Sequence, residues 1–255
     1  MSGHESPDQW IRRLVPAPSA DQLLLCLPYA GGSATYFWPF ARALAPEVEV
    51  LAIQYPGRQE RHHEPFVETM DELADRVTDA VAPVIDRPLA IFGHSMGASL
   101  GYEVALRLAA SGVDPTLLLV SGRRAPSAVR HERLHEAGEG ELLDEISKLG
   151  GTNPALLQDP ELKRHFYRIL KADYRVAERY AHPPGPPLRL PIAALTGDSD
   201  PKVDLDEVRQ WSEHTDGPFE MKVMPGGHFF LNDNLDAVVG HIRAFLLGNP
   251  SIVAP

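Results

Sequence analysis

Short apolar runs and amphipathic stretches alternate along most of this chain. The apolar runs predict strands at residues 22–27, 48–54, 89–92, 116–121, 192–196 and 219–224. Apolar side chains recur at helical spacing over residues 70–84, 98–110 and 235–246. Strands that alternate with helices form parallel sheets, and continuous apolar runs fit strands covered on both faces. The pattern therefore predicts an α/β fold, with a mostly parallel sheet flanked by helices.

One long segment, between residues 121 and 192, interrupts this alternation. It contains two helical patterns, the first over residues 140–149 and the second ending near residue 180. Asp159 suits the N-cap of the second helix, and Pro160 suits its first position. We expect a single domain over residues 1–255 with a helical insertion at about 127–187 that covers the site as a lid. The alternative is a packed subdomain with no gating role.

A Gly-x-Ser-x-Gly motif, Gly93-His94-Ser95-Met96-Gly97, joins the strand at 89–92 to the helix at 98–110. In α/β-hydrolases this motif is the nucleophile elbow, a sharp turn between a strand and a helix that exposes a serine hydroxyl above the sheet. A Cβ at either glycine would collide with the neighbouring strand or helix. The helix N-terminus also favours negative charge close by. Ser95 is therefore the candidate nucleophile.

A serine hydroxyl needs a base to accept its proton, usually a histidine that a carboxylate orients. In α/β-hydrolases the chain order is serine, acid, histidine. His228 follows the predicted strand at 219–224, and Asp198 and Asp200 follow the strand at 192–196. Ligand sites of α/β sheets lie at these carboxyl ends of the strands. We assign His228 as the base and Asp200 as the acid, with Asp198 as the alternative acid.

Two backbone N–H groups are needed to bind the oxyanion of a tetrahedral intermediate. In this fold the residue after the nucleophile, Met96, supplies one of them. The other should come from the glycine-rich loop at 28–33, where Ala30 is the candidate. A phosphate-binding role for this loop is not favoured, because the chain has no Gly-x-x-x-x-Gly-Lys-Ser/Thr motif.

A second motif, from His131 to His135, matches the H-E-x-x-H signature of zinc proteases. Such a site needs both histidines on a well-formed helix, together with a third ligand. Here the motif lies in a charged stretch interrupted by Gly138 and Gly140, with little apolar surface to bury a helix. We therefore predict no metal site, and no other motif calls for a cofactor.

Composition narrows the remaining classes of function. The net charge of −11 over 255 residues argues against nucleic acids and anionic membranes as main partners. No apolar run is long enough to cross a membrane, and residues 1–13 lack the apolar core of a signal peptide. Cys26 is the only cysteine, so an intrachain disulfide is impossible. These features predict a cytoplasmic protein.

Six segments of the chain form a set that is more informative than any one of them. They are PYAGGSA at 28–34, YPGRQER at 55–61, GHSMG at 93–97, SGRRAP at 121–126, GDSDP at 197–201 and GGHFFL at 226–231. This set resembles the type II thioesterases, the stand-alone editing enzymes of polyketide and nonribosomal peptide assembly lines, over residues 23–247. Many hydrolases share the elbow, whereas the segments at 55–61 and 226–231 are far more specific. Tyr29 departs from the pattern, since the family often has histidine there.

The resemblance implies hydrolysis of acyl groups from the phosphopantetheine arm of acyl or peptidyl carrier proteins, which removes stalled or aberrant units through an acyl-serine intermediate. Such carrier proteins are usually acidic, so an acidic enzyme needs basic residues where they dock. Arg58, Arg61, Arg123 and Arg124 follow the carboxyl ends of predicted strands and are the candidates. The alternative is that they pair with carboxylates and are structural.

Two other functions stay open at this point. A small-molecule carboxylesterase would use the same scaffold and triad without a carrier protein. A non-catalytic α/β-hydrolase would use the scaffold for binding alone, although the complete order of serine, acid and histidine argues against it.

Overall fold

A seven-stranded sheet forms the centre of the part of the chain that the computed structural model describes, residues 6–151 and 158–247. The strands are β1 (Ile11–Arg13), β2 (Gln22–Leu27), β3 (Val48–Ile53), β4 (Leu89–His94), β5 (Leu117–Ser121), β6 (Ile192–Gly197) and β7 (Phe219–Met224). Their order across the sheet is β1-β3-β2-β4-β5-β6-β7. All neighbouring pairs are parallel except β1 with β3. The predicted α/β architecture is confirmed.

All six predicted strands are present. The largest difference is in β4, which continues past residue 92 to His94 and so carries the chain directly into the elbow. The edge strand β1 was not predicted from the sequence. It has only three residues, two of them arginines, and Ile11 pairs with Ile53 of β3 in antiparallel register. So short and polar a segment carries no strand pattern of its own.

Nine α-helices accompany the strands in the described residues. They are α1 (Pro7–Trp10), α2 (Trp38–Leu44), α3 (Met70–Val81), α4 (Met96–Ala110), α5 (Glu139–Leu149), α6 (Pro160–Arg179), α7 (Leu205–Arg209), α8 (Phe230–Asp233) and α9 (Leu235–Leu247). Thr69 caps α3 by accepting the Glu72 N–H. The predicted helix at 70–84 therefore begins as expected but ends in a 3₁₀ turn over Ala82–Val84. None of the described helices combines the length and apolarity needed to cross a membrane.

Helices cover both faces of the sheet, which explains why its inner strands, β2 to β6, are largely apolar and buried. Along β2, Leu23 and Leu25 point into the core under α3 and α4, whereas Leu24 and Cys26 point into the core under α2 and α9. Cys26 is fully buried, and burial raises the pKa of its thiol well above the usual value. This cysteine is a packed apolar side chain.

The insertion between β5 and β6 contains α5 and α6, as the sequence predicts. These helices pack on each other through a small core of their own, formed by Leu142, Leu143, Ile146 and Leu170. The Asp159 side chain accepts the N–H groups of the first turn of α6 and confirms the predicted N-cap. Residues 152–157 of the insertion lie outside the described residues. The boundaries at 127–187 and the gating role stay predictions.

Candidate active site

The elbow at Ser95 is as sharp as the motif predicts. Ser95 has a φ of 55° and a ψ of −117°, a conformation that a non-glycine residue rarely adopts. A Cβ on Gly93 would lie 2.0 Å from the Gly97 carbonyl oxygen, and a Cβ on Gly97 would lie 2.1 Å from the Leu27 carbonyl oxygen. Because both distances are impossible, only glycine permits β2, β4 and α4 to approach so closely. The close packing holds Ser95 at the N-terminus of α4.

A continuous line of hydrogen bonds links Ser95, His228 and Asp200. The Ser95 Oγ lies 3.1 Å from His228 Nε2, and His228 Nδ1 lies 2.8 Å from Asp200 Oδ2. The other carboxylate oxygen of Asp200 accepts the Lys202 N–H at 2.8 Å. Because a carboxylate only accepts, His228 Nδ1 carries the proton and Nε2 is free to accept from the serine hydroxyl. This is the geometry of a serine nucleophile with its general base.

Asp198, the alternative acid, has a different position. Its Oδ1 accepts the Gly226 N–H at 3.0 Å, whereas the hydrogen bond of His228 Nδ1 goes to Asp200. A Cβ on Gly197 would lie 2.2 Å from the Gly226 carbonyl oxygen, so the two loops are in close contact here. Asp198 thus ties together the loops that carry Asp200 and His228. The structure brings Asp200 to the histidine, and we keep it as the proposed acid.

The N–H groups of Met96 and Ala30 are both available next to the nucleophile. Both residues line a small cavity beside Ser95 and His228. The Gly31 N–H donates to Asp173 at 2.7 Å, and the Gly32 N–H donates to the Tyr29 carbonyl at 2.9 Å. Within the described residues, in contrast, the Ala30 and Met96 N–H groups donate to no protein acceptor. This pair therefore remains our proposal for the oxyanion hole.

The histidine of the elbow motif, His94, lies buried beneath the turn. Its Nδ1 is 3.0 Å from Ser121 Oγ, and its ring centroid is 5.1 Å from that of His228. Burial, and then the nearby charge of His228, hold the pKa of His94 well below the usual value. Because His94 is neutral, it does not repel the positive charge that His228 acquires when it accepts the serine proton.

A second, apolar cavity of about 200 Å³ also has Ser95 in its wall. The insertion supplies much of its wall, and the lining includes Ile146, Leu149, Phe166, Tyr174 and Phe229. Ser95 and His228 are also part of its wall. Such a chamber fits an apolar acyl chain whose carbonyl carbon reaches Ser95.

Three of the four arginines predicted to dock a carrier protein are buried. Arg58, Arg61 and Arg124 are 4%, 3% and 6% exposed, and they pair with Asp173, Glu64 and Glu132 respectively. A buried guanidinium that is already paired offers no charge to a partner's surface, so the structure argues against docking by these three. Only Arg123 is partly exposed. For Arg58, Arg61 and Arg124 the structure favours the alternative, in which they pair with carboxylates and have a structural role.

The H-E-x-x-H motif does not form a helix. Its last two residues lie in the 3₁₀ turn Leu134–Glu136, and His135 Nδ1 contacts Glu178 Oε2 at 2.6 Å. Lys202 and Arg124 outweigh the effect of burial and lower the pKa of Glu132 to about 2, so this carboxylate is an ion-pair partner. In residues 6–151 and 158–247 no three His, Cys, Asp or Glu side chains are grouped to hold a metal ion.

Comparison with known proteins agrees with this geometry. A family model described as "Thioesterase domain" matches residues 22–246. Thioesterase PikA5 of Streptomyces venezuelae is 47% identical over 240 residues, which cover 93% of this chain and 85% of PikA5. Thioesterase TesA of Mycobacterium marinum is 36% identical, over 95% of this chain and 96% of TesA.

Solved structures give the same result. The type II thioesterase BorB from the borrelidin biosynthetic cluster superimposes with a TM-score of 0.88 and 48% identity, covering 96% of this chain and 100% of BorB. RedJ, a thioesterase of the prodiginine pathway in Streptomyces coelicolor, has a TM-score of 0.85 and 36% identity, over 91% of this chain and 95% of RedJ. The α/β-hydrolase fold is thereby confirmed. The chain belongs to the thioesterase family and, within it, to the type II thioesterases of polyketide and nonribosomal peptide pathways.

Proposed function

We propose that this enzyme hydrolyses acyl groups from the phosphopantetheine arm of an acyl or peptidyl carrier protein, with Ser95, His228 and Asp200 as its catalytic residues. The observation that carries the assignment of these residues is the line of hydrogen bonds from Asp200 through His228 to Ser95, in the wall of an apolar chamber. An editing thioesterase is the function typical of the family. The carboxylesterase alternative is not favoured, because the relatives are thioesterases.

The first half of the reaction transfers the acyl group to the enzyme. Ser95 Oγ attacks the thioester carbonyl carbon while His228 Nε2 takes the hydroxyl proton, and Asp200 stabilises the resulting imidazolium. The N–H groups of Met96 and Ala30 bind the oxyanion. When the C–S bond breaks, the sulfur leaves and takes the proton from His228. A free thiol has a pKa of about 8.5, so it is a good leaving group.

The second half of the reaction hydrolyses the acyl-serine. His228 takes a proton from water, whose oxygen attacks the ester carbonyl through a second oxyanion. The bond to Ser95 Oγ then breaks, and His228 returns the proton to that oxygen. The carboxylic acid leaves, and the triad is restored. Every step uses the same three side chains and two N–H groups.

The proposed function is tested by presenting one acyl group in three forms: on a carrier protein, on coenzyme A and as an oxygen ester. We expect kcat/KM to be highest for the carrier protein, because its surface adds binding that the other two forms lack. The oxygen ester should be hydrolysed most slowly, since an alcohol is a poorer leaving group than a thiol. A rate for the oxygen ester equal to that for the carrier-linked thioester would favour a carboxylesterase instead.

Arg123 is the remaining candidate for contact with the carrier protein, and we propose that it binds the phosphopantetheine arm. Its Nε donates to Ser99 Oγ at 2.9 Å and its Nη2 donates to the Ala177 carbonyl at 3.1 Å. It lines both the small cavity at Ser95 and a neighbouring polar cavity of about 230 Å³. Burial and the charge of Arg124 lower its pKa to about 10, so Arg123 is still a cation at neutral pH. We place the pantetheine arm in this polar cavity and the acyl group in the apolar chamber.

Replacing Arg123 with glutamine should therefore raise KM for a carrier-linked thioester by about tenfold. Loss of a charge-assisted hydrogen bond typically weakens binding by about this factor. A short soluble thioester that does not reach the polar cavity should keep its KM. Steady-state kinetics on both substrates measure the difference. Arg243→Gln is the matched control, because Arg243 pairs with Glu47 just before β3, at the opposite end of the strands. Equal increases in KM for both substrates would contradict the placement of the arm.

A further inference from the structure

A buried ion pair joins the insertion to the body of the enzyme. Asp173 of α6 is buried, and its two oxygens accept from Arg58 Nη1 at 2.7 Å and Arg58 Nη2 at 2.8 Å. Asp173 lies on the buried face of α6, between Ile169 and Val176 at helical spacing. A carboxylate among apolar side chains is costly unless it is fully paired, and a pair in this position is weak evidence for stability alone. Its further contacts suggest another role.

The same pair holds the loop after β2. Asp173 Oδ2 also accepts the Gly31 N–H at 2.7 Å, and Arg58 Nη1 also donates to the Gly32 carbonyl at 3.0 Å. This loop contains Ala30, whose N–H we assign to the oxyanion hole. The acid of α6 and the arginine after β3 thus bind the backbone of the two residues that follow Ala30.

The loop is a tight turn whose middle needs such support. The Gly32 N–H donates to the Tyr29 carbonyl at 2.9 Å, and Gly31 has a φ of +84°, as expected for the third position of a type II turn. The Tyr29 carbonyl and the Ala30 N–H share one planar peptide group, so the direction of one fixes that of the other. Asp173 binds the N–H of the next peptide and Arg58 binds the Gly32 carbonyl, and together these contacts hold the turn in which the Tyr29 carbonyl accepts the Gly32 N–H.

We propose that Asp173 and Arg58 are positioning residues for the oxyanion hole, which hold the turn so that the Ala30 N–H faces the carbonyl oxygen under attack. This inference rests on the proposed function, because it assumes Ser95 as the nucleophile and Ala30 as a donor. It gives Arg58 a role in catalysis rather than in docking. It also makes α6 part of the catalytic machinery, since displacement of this helix would release the turn.

The test is Asp173→Asn, which keeps the shape of the side chain and removes its charge. We expect kcat for a short soluble thioester to fall by about 10- to 100-fold, because a displaced donor loses much of the 10²- to 10³-fold effect of an oxyanion contact. KM should change by less than about twofold. The affinity for a trifluoromethyl ketone, whose serine adduct carries an oxyanion, should fall in parallel with kcat.

Glu49→Gln is the matched control. Glu49 is also a buried carboxylate, which accepts from Arg13 at 2.6 Å and from the Ala17 N–H at 3.3 Å, near the start of β3 and away from the site. Both variants should lose thermal stability, but Glu49→Gln should keep its kcat. The inference is overturned if Asp173→Asn keeps the wild-type kcat and ketone affinity, or loses no more of either than Glu49→Gln does.

Arg58→Lys provides a second route if Asp173→Asn does not fold. Lysine keeps a positive charge beside Asp173 but has no planar fork to bind both the carboxylate and the Gly32 carbonyl. We expect kcat to fall by about three- to tenfold with KM unchanged, and an unchanged kcat would overturn the inference. If the wild-type enzyme fails to hydrolyse thioesters, or Ser95→Ala is as active as the wild type, the proposed function fails instead.

Discussion

Replacing Ser95 with alanine should lower kcat for thioester hydrolysis by about 10⁶-fold, the loss seen when the nucleophile of a serine triad is removed. The hydroxyl oxygen forms the acyl-enzyme, and within residues 6–151 and 158–247 no other side-chain hydroxyl or thiol is hydrogen-bonded to His228 Nε2. The oxyanion donors and the binding chamber remain, so a small residual rate above the uncatalysed reaction should persist. Steady-state kinetics give the loss, and a fluorophosphonate probe should label the wild-type enzyme but not the variant.

A glycine at the same position separates chemistry from folding. Ser95 adopts a positive φ of 55°, a conformation that costs a non-glycine residue about 1–3 kcal/mol. Ser95→Gly should therefore be more thermostable than Ser95→Ala, although both should be equally inactive. The strain is present in the native enzyme because the elbow needs a side chain there for the reaction.

If Ser95→Ala kept more than about one hundredth of the wild-type kcat, far above the residual rate of a triad without its nucleophile, Ser95 would not be the nucleophile.

The elbow could be predicted because its steric requirement is local. Gly93 and Gly97 are needed where β4, α4 and the end of β2 come within contact distance, and that requirement appears in the sequence as a fixed spacing. His228 could be predicted for a topological reason, because the carboxyl ends of parallel strands meet at one edge of the sheet. Both positions follow from the order of strands and helices along the chain, and the pattern of apolar runs is enough to predict that order.

The sequence leaves pairing with carboxylates open for the arginines, but the partners could not be predicted, because they depend on which distant residues meet. Arg58 lies 115 residues before Asp173, and nothing near either of them identifies the other. From the sequence, Arg58 and Arg124 are simply basic residues after strands, as a docking surface would require. The one available signal is Asp173 itself, an acid on the buried stripe of an amphipathic helix, where a charge needs a partner.

The sequence could not decide between Asp198 and Asp200 as the acid for the same reason, because the answer depends on the folded path of the chain. Both follow β6, and only the path of the turn decides which side chain faces His228. The structure directs Asp200 to His228 Nδ1 and Asp198 to the Gly226 N–H. The two aspartates thus lie on the same short loop with different partners, which makes them a matched pair for mutation.

Asp200→Asn should lower kcat by about 10⁴-fold, the loss found when the acid of a serine triad becomes an amide. In the native site the carboxylate accepts from His228 Nδ1 and so leaves Nε2 free to take the Ser95 proton. An asparagine can turn its NH₂ group toward Nδ1, which then accepts, and the proton of the ring moves to Nε2. In that tautomer His228 faces the serine with a donor and cannot act as a base. Ser95 and its acyl chamber would be intact, so KM should change far less than kcat.

Asp198→Asn is the control that tests the assignment. An asparagine there keeps an oxygen that can accept the Gly226 N–H, so the loop contact survives the loss of charge. We expect kcat within about threefold of the wild-type value, as for a surface substitution that keeps its hydrogen bond. Because both variants remove one negative charge from the same loop, a general electrostatic effect would act on both. A large loss of kcat in Asp200→Asn alone would therefore show that the Asp200 carboxylate acts by orienting the His228 imidazole. If Asp198→Asn were the more damaging change, the acid of the triad would be Asp198, and the loop would have to adopt a different conformation in the active enzyme.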